Sequence, residues 1–176
     1  MSLNSETMKA LGPTPAKRVP MRLLCLGNDL MCDDSLGSVI AEKMRRFAPA
    51  EVDVVSTPEA GFHLLDYVLN VHRLLVVDTI VTGNAPPGTI YVFSSNHLKS
   101  LPGGSPHYVG LFETLELARA LSLPVADEVI VLAVEAADCW TVGGEMHPAV
   151  RDSIPALLRM IRQRMHGRHA SQDEES

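Results

Sequence analysis

Residues 73–78 read RLLVVD and residues 88–93 read GTIYVF, with only the nine residues TIVTGNAPP between them. The first run is apolar up to its closing aspartate, as expected of a strand covered by helices on both faces. A parallel crossover needs about a dozen residues or more, usually with a helix in it. Nine residues that include Gly83, Pro86 and Pro87 cannot supply one. The second run is therefore expected to lie antiparallel to the sheet, at an edge.

Outward from this pair, short apolar runs alternate with longer amphipathic stretches. RLLCLG at 22–27, EVDVV at 51–55 and EVIVLAV at 128–134 read as further strands. Residues 35–47 carry Leu36, Val39, Ile40 and Met44 at helical spacing, and 61–69 place Phe62, Leu65 and Leu69 on one helical side. Residues 110–121 and 148–165 read as two more helices. Strand alternating with helix predicts an α/β layered fold on a mainly parallel sheet. In such sheets ligands bind outside the carboxyl ends of the parallel strands. The search for chemistry therefore narrows to the segments after Leu26, Val77 and Val134.

At 176 residues the chain is of single-domain size, and 46% hydrophobic residues exclude a disordered polypeptide. A net charge of −6 argues against nucleic-acid binding, and no apolar run approaches the length of a membrane span. Cys25, Cys32 and Cys139 are odd in number and form no CxxC pair, so neither a disulfide framework nor a zinc knuckle is indicated. The first twenty residues contain no apolar secretory core, which points to a reducing cytoplasm. Residues 1–20 read as a disordered extension, 21–166 as one domain, and 167–176 as a solvated tail.

The first strand leads into GNDLMCDDSLG at 27–37. It matches neither GxGxxG nor a Walker loop and has no lysine, which disfavours nucleotide phosphate. It does set two carboxylates at a helix start. Asp33 or Asp34 as an N-cap accounts for one of them; a second acid beside it, at the carboxyl end of a strand, suggests a cation site. Asp78 ends the third strand, and neighbouring parallel strands lie only about 4.8 Å apart, so it falls near Asp34. Both are read as exposed loop-end carboxylates. His107, in SPHYVGL, is held on an entry loop between Pro106 and Gly110; His63, His72, His97 and His147 compete with it. Two carboxylates and one imidazole leave coordination positions open and suit nickel or zinc better than calcium. A nucleophile is not indicated: there is no GxSxG elbow, Cys25 is a core position, and the acids around Cys32 disfavour its thiolate. Trp140 lines a site mouth or covers the core.

On these residues the chain resembles the hydrogenase maturation endopeptidases. The resemblance runs through LGNDLMCDDSLG, LLVVDTI, PGTIYVF, SPHYVGL and GGEMHPAVRDSIPALL, from about Met21 to Met165. It implies a three-layer αβα fold around a five-stranded, mainly parallel sheet with one antiparallel strand. It implies that Asp34, Asp78 and His107 act as metal-site and catalytic residues, with no separate nucleophile. The implied partner is the large-subunit precursor of a nickel-iron hydrogenase, whose C-terminal extension is cut off. The nickel is implied to arrive in that precursor, with zinc or cadmium able to occupy the site, and the enzyme to act as a monomer. One departure is visible: Ser56-Thr57-Pro58-Glu59-Ala60-Gly61 stands where the family often has Asp-Gly-Gly-Thr, which leaves Glu59 as the nearest acid.

Two other readings share features with this pattern. A response-regulator receiver has an acid pair after its first strand and a phosphoacceptor aspartate after its third. However, residues 128–140 contain no lysine, and Asp33 lies six positions after Gly27 rather than directly at the strand end. A non-catalytic nickel-binding maturation chaperone would bind the precursor without cutting it.

Overall fold

The computed structural model describes residues 18–94 and 108–166. Five strands, β1 (Val19–Leu26), β2 (Val52–Thr57), β3 (Val71–Ile80), β4 (Ile90–Ser94) and β5 (Glu128–Glu135), form one sheet in the order β2-β1-β3-β5-β4. The pairs β1–β2, β1–β3 and β3–β5 are parallel, and β4 pairs antiparallel with β5 at the edge. The short connection before β4 produces the reversal read from the sequence. It is closed by mutual main-chain bonds, Gly88 N to Glu135 O and Glu135 N to Thr89 O, both 2.8 Å.

The α-helices of the described residues are α1 (Leu36–Arg45), α2 (Leu65–Val68), α3 (Tyr108–Ala120) and α4 (Pro148–His166). Strand alternation sorts the apolar side chains into two cores. On one face Leu23, Cys25, Leu75, Val77, Leu132 and Val134 pack under α1 and α4 with Ile40, Met44, Leu157 and Ile161. On the other face Leu24, Leu74, Val76, Val129 and Val131 meet Leu64, Val68, Leu111 and Leu115. This is the three-layer αβα fold with its mainly parallel sheet. Each fully buried Leu, Ile or Val contributes about 1.5–3 kcal/mol, so the sheet is held from both sides. No described helix is long and apolar enough to cross a membrane.

Three local details differ from the sequence reading. The described domain starts before Met21: β1 begins at Val19, and the Arg18 guanidinium donates to the carbonyls of Val71 and Val125 and to Asp127. The helix read over 61–69 is a 3-10 turn, Gly61–Leu64, followed by the single turn of α2. Leu64 and Val68 are its fully buried pair, while Phe62 stands 62% exposed. The chain leaves helical geometry at Leu69, and Asn70, with φ 57°, turns it straight into β3. Gly110 also lies inside the first turn of α3 rather than opening it. A Cβ there would meet Gly61 Cα at 2.3 Å, so it is close helix docking that requires glycine.

Val77 is wholly buried and sits in register between Cys25 of β1 and Leu132 of β5. A charge there has neither water nor a partner. Val77→Asp is expected to abolish the cooperative unfolding transition followed by circular dichroism; a native-like urea midpoint would contradict two-sided burial.

Candidate functional site

β1 ends at Leu26, and two glycines let the chain fold back on that end. A Cβ on Gly27, which has φ 140°, would lie 2.1 Å from the Asp34 carbonyl oxygen, and one on Gly37 would lie 2.0 Å from the Leu26 carbonyl oxygen. Only glycine permits both approaches, and together they draw the acid pair down onto the carboxyl edge of the sheet. A 3-10 turn, Asp33–Ser35, carries the acids into α1.

Neither aspartate caps a helix by its side chain, which corrects that expectation. The residues flanking the two helical starts are Cys32 and Ser35, and neither start has a side-chain cap bond. Asp33, fully buried, instead receives three main-chain N–H groups: Ala137 at 2.8 Å, Asp138 at 3.0 Å and His147 at 2.6 Å. It pins the loop after β5 and the approach to α4 onto the loop after β1. Cys32 N to Thr141 O at 3.2 Å and Gly143 N to Leu30 O at 2.7 Å extend the same seam. The ring Nδ1 of His147 accepts from Ala149 N, so that imidazole closes a turn.

Asp34 is turned the other way, into the sheet edge. Its Oδ2 accepts the N–H of Asn28 at 2.8 Å, and its Oδ1 accepts the Thr79 hydroxyl, also at 2.8 Å. Asp78 Oδ1 accepts the main-chain N–H of Thr79 at 2.8 Å. The two acids therefore meet on one threonine; Asp78 does not end its strand as read from the sequence, because β3 runs on through Thr79 to Ile80. They are not exposed as expected: Asp34 keeps 2% and Asp78 1% of its surface. Cys139 joins them from the loop after β5, its Sγ donating to Thr79 Oγ1 at 3.5 Å. Burial pushes the Cys139 thiol up to about 12, against the hydrogen bond to Thr79, and the charges of Asp34, Asp78 and Asp33 push it the same way. A thiol raised in this way is disfavoured as a thiolate nucleophile.

His107 lies outside the described residues, as does His97. Among the described residues no group of three or more His, Cys, Asp or Glu side chains is placed to hold a metal ion. Of the competing histidines, His63 is exposed, and His72 pairs with Asp127 at 2.9 Å at the start of β3, away from the site. Cys25 is buried in the core, and burial pushes its thiol up to about 12. Cys32 donates its thiol to the Gly143 carbonyl at 2.9 Å. Glu59 follows β2 in a turn where its N–H is held by Thr57 Oγ1 at 3.2 Å, and it is exposed. Trp140 stands 60% exposed on the loop after β5, so it does not cover the core.

Glu135, which ends β5, is a buried acid that the sequence reading did not single out. Its carboxylate accepts from Thr82 N, Gly83 N, the Thr82 hydroxyl at 2.7 Å and the Tyr91 hydroxyl at 3.1 Å. Burial works to raise its pKa, but the bonds from Thr82, Gly83 and Tyr91 outweigh burial and hold the carboxyl below the usual glutamate range. Glu135 thus fastens the short connection into β4. Its one visible signal in the sequence is position, an acid closing an apolar run as Asp78 does.

The fold and these buried acids define an α/β domain with a cluster of carboxylates at the carboxyl edge of a mostly parallel sheet. The chain belongs to the hydrogenase maturation protease family, whose HycI model matches residues 38–164. It is 32% identical over 105 residues to the hydrogenase 2 maturation protease of Escherichia coli, an alignment covering 56% of this chain and 64% of that relative's length. It is 27% identical over 147 residues to the hydrogenase expression/formation protein HupD of Bradyrhizobium diazoefficiens, covering 81% of this chain and 76% of the relative. The structure of the hydrogenase maturating endopeptidase HybD from E. coli superposes with a TM-score of 0.71 at 23% identity, over 84% of this chain and 94% of that one, and shows the fold. The comparisons do not favour the receiver or chaperone readings.

Two outcomes follow from the buried acids. Asp33→Ala leaves its N–H donors without their acceptor, at about 1–3 kcal/mol for each buried group left unsatisfied; urea denaturation is expected to show a loss of at least that size, and an unchanged midpoint would contradict the pinning role. For Glu135 the sign follows from its depressed native pKa. Its contribution is present above the unfolded value of about 4.3 and is lost as pH falls through the native one. The stability gap between wild type and Glu135→Gln, from urea midpoints, should therefore be widest near neutral pH and shrink below about pH 4.3. A gap that is constant over that range would contradict it.

Proposed function

We propose that this chain is the endopeptidase that removes the C-terminal extension from the nickel-loaded large-subunit precursor of a nickel-iron hydrogenase. In this reading Asp34, Asp78 and His107 complete the coordination of the nickel that the precursor carries in. The observation that supports it most is the meeting of Asp34 and Asp78 on Thr79 at the carboxyl edge, in a chain of this family. The topology gives the reason: β1 and β3 are parallel neighbours, so the segments that follow them open on the same side.

Two carboxylates and an imidazole are oxygen and nitrogen donors that suit a borderline divalent ion while leaving positions for the precursor's own ligands. Nickel held there would polarise the scissile carbonyl as a Lewis acid. The protein's own residues supply placement: they hold the precursor's metal centre so that the tail reaches the cleavage position in one orientation. Cys139 is buried with its thiol bonded to Thr79, and Cys32 is bonded to Gly143, so this reading gives neither thiol a part in bond cleavage. Zinc and cadmium are ions of similar donor preference for binding studies. A reducing cytoplasm, supported by three free cysteines, and action as a monomer belong to the same proposal.

Incubation with nickel-loaded and nickel-free precursor, read by mass spectrometry, tests the reading. Loaded precursor is expected to lose its extension and nickel-free precursor to stay intact, with free nickel added to the enzyme giving no rescue. Asp34→Asn, Asp78→Asn and His107→Ala should each abolish trimming, and Cys32→Ser should trim at the wild-type rate. Nickel-free precursor trimmed as fast as loaded precursor would defeat the proposal.

A further inference from the structure

We infer that Thr79 is the positioning residue of the site, holding Asp34 through its hydroxyl and Asp78 through its main-chain N–H. The inference rests on the reading of those two acids as the groups that meet the precursor's nickel, and it names what sets their orientation.

Thr79 is the penultimate residue of β3 and is wholly buried. Strand alternation puts its side chain on the face of Leu75 and Val77, both in the apolar core under α1 and α4. Packing alone would favour an aliphatic residue there, because a buried hydroxyl without partners is costly. This hydroxyl is used in both directions. It has one proton, which goes to Asp34 Oδ1 at 2.8 Å, so it must accept from Cys139 Sγ at 3.5 Å. The order is thiol to hydroxyl to carboxylate, each donor polarising the next.

The terminal torsion of an aspartate is soft and roughly two-fold, so a carboxylate needs outside contacts to face one way. Among the described residues Asp34 receives Asn28 N on Oδ2 and the Thr79 hydroxyl on Oδ1. The first comes from the same short loop as Asp34. The Thr79 hydroxyl reaches Asp34 from β3, the strand that carries Asp78, so it sets the two acids relative to one another. Removing such a supporting bond from a ligating carboxylate typically costs about 10–100-fold in metal affinity or activity.

Thr79→Val keeps the shape and deletes the hydroxyl, Thr79→Ser keeps the hydroxyl, and Asp34→Asn serves as the reference for loss of the site. Trimming of nickel-loaded precursor is measured as kcat and KM, Ni2+ binding to the enzyme alone by calorimetry, and folding by urea denaturation. Thr79→Val is expected to fold and to lose about 10–100-fold in kcat/KM, with weaker Ni2+ binding, and Thr79→Ser to recover most of that loss. A folded Thr79→Val that trims and binds like wild type, while Asp34→Asn is inactive, overturns the inference and leaves the site standing. An Asp34→Asn that trims like wild type removes the site itself. If Thr79→Val does not fold, Thr79→Ala takes its place under the same criteria. If neither folds while Thr79→Ser does, the hydroxyl serves stability alone and the inference is overturned.

Discussion

Two adjacent aspartates are taken out of water at the end of β1, and the rest of the carboxyl edge is arranged around them. Asp33 and Asp34 keep 0% and 2% of their surface. An ionised carboxylate buried without partners is strongly unfavourable, so each must collect donors from what surrounds it. Asp33 draws main-chain N–H groups from a stretch of chain over a hundred residues away in sequence, and Asp34 draws one from its own loop and a hydroxyl from β3. The same bonds that offset desolvation hold three segments in register. Stability and site geometry are one set of interactions.

This division of labour separates the two acids. Among the described residues Asp33 accepts N–H groups of the loop leading to α4, so its carboxylate is absorbed by the fold. Asp34 meets the residue that also meets Asp78, at the place where a mainly parallel α/β sheet receives its ligands. Glycine at 27 and 37 makes the arrangement possible, since a side chain at either position would collide with main chain. Glu135 does comparable work one strand over, holding the tight connection that turns β4 antiparallel.

Much of this was legible in the sequence, for identifiable reasons. Unbroken apolar runs marked the strands buried on both faces, and nine residues were too few for a crossover, which gave the antiparallel edge. Asp78 is marked by the apolar run that leads into it, while the acid pair Asp33-Asp34 is marked by its place at a helix start, with Asp34 singled out by the family resemblance. What stayed hidden was what depends on distant main chain. The partners of Asp33 lie 104 to 114 residues away and donate through N–H groups that carry no side-chain signature. Thr79 falls in the connection after the apolar run in the sequence reading, whereas β3 continues to Ile80, and its hydroxyl matters only once Asp34 and Cys139 are beside it. Phe62 departs from the reading because α-helical spacing over 61–69 puts it on the buried side, whereas Gly61–Leu64 is a 3-10 turn with a different residue spacing.

The central claim is that the Asp34–Asp78 edge meets nickel inside the precursor. Nickel-edge X-ray absorption on loaded precursor, alone and mixed with the protein, tests it most directly. Added oxygen and nitrogen scatterers on mixing, absent with an Asp34→Asn, Asp78→Asn double variant, are the predicted result. A nickel spectrum unchanged by the wild-type protein, under conditions where the precursor is trimmed, would contradict the account.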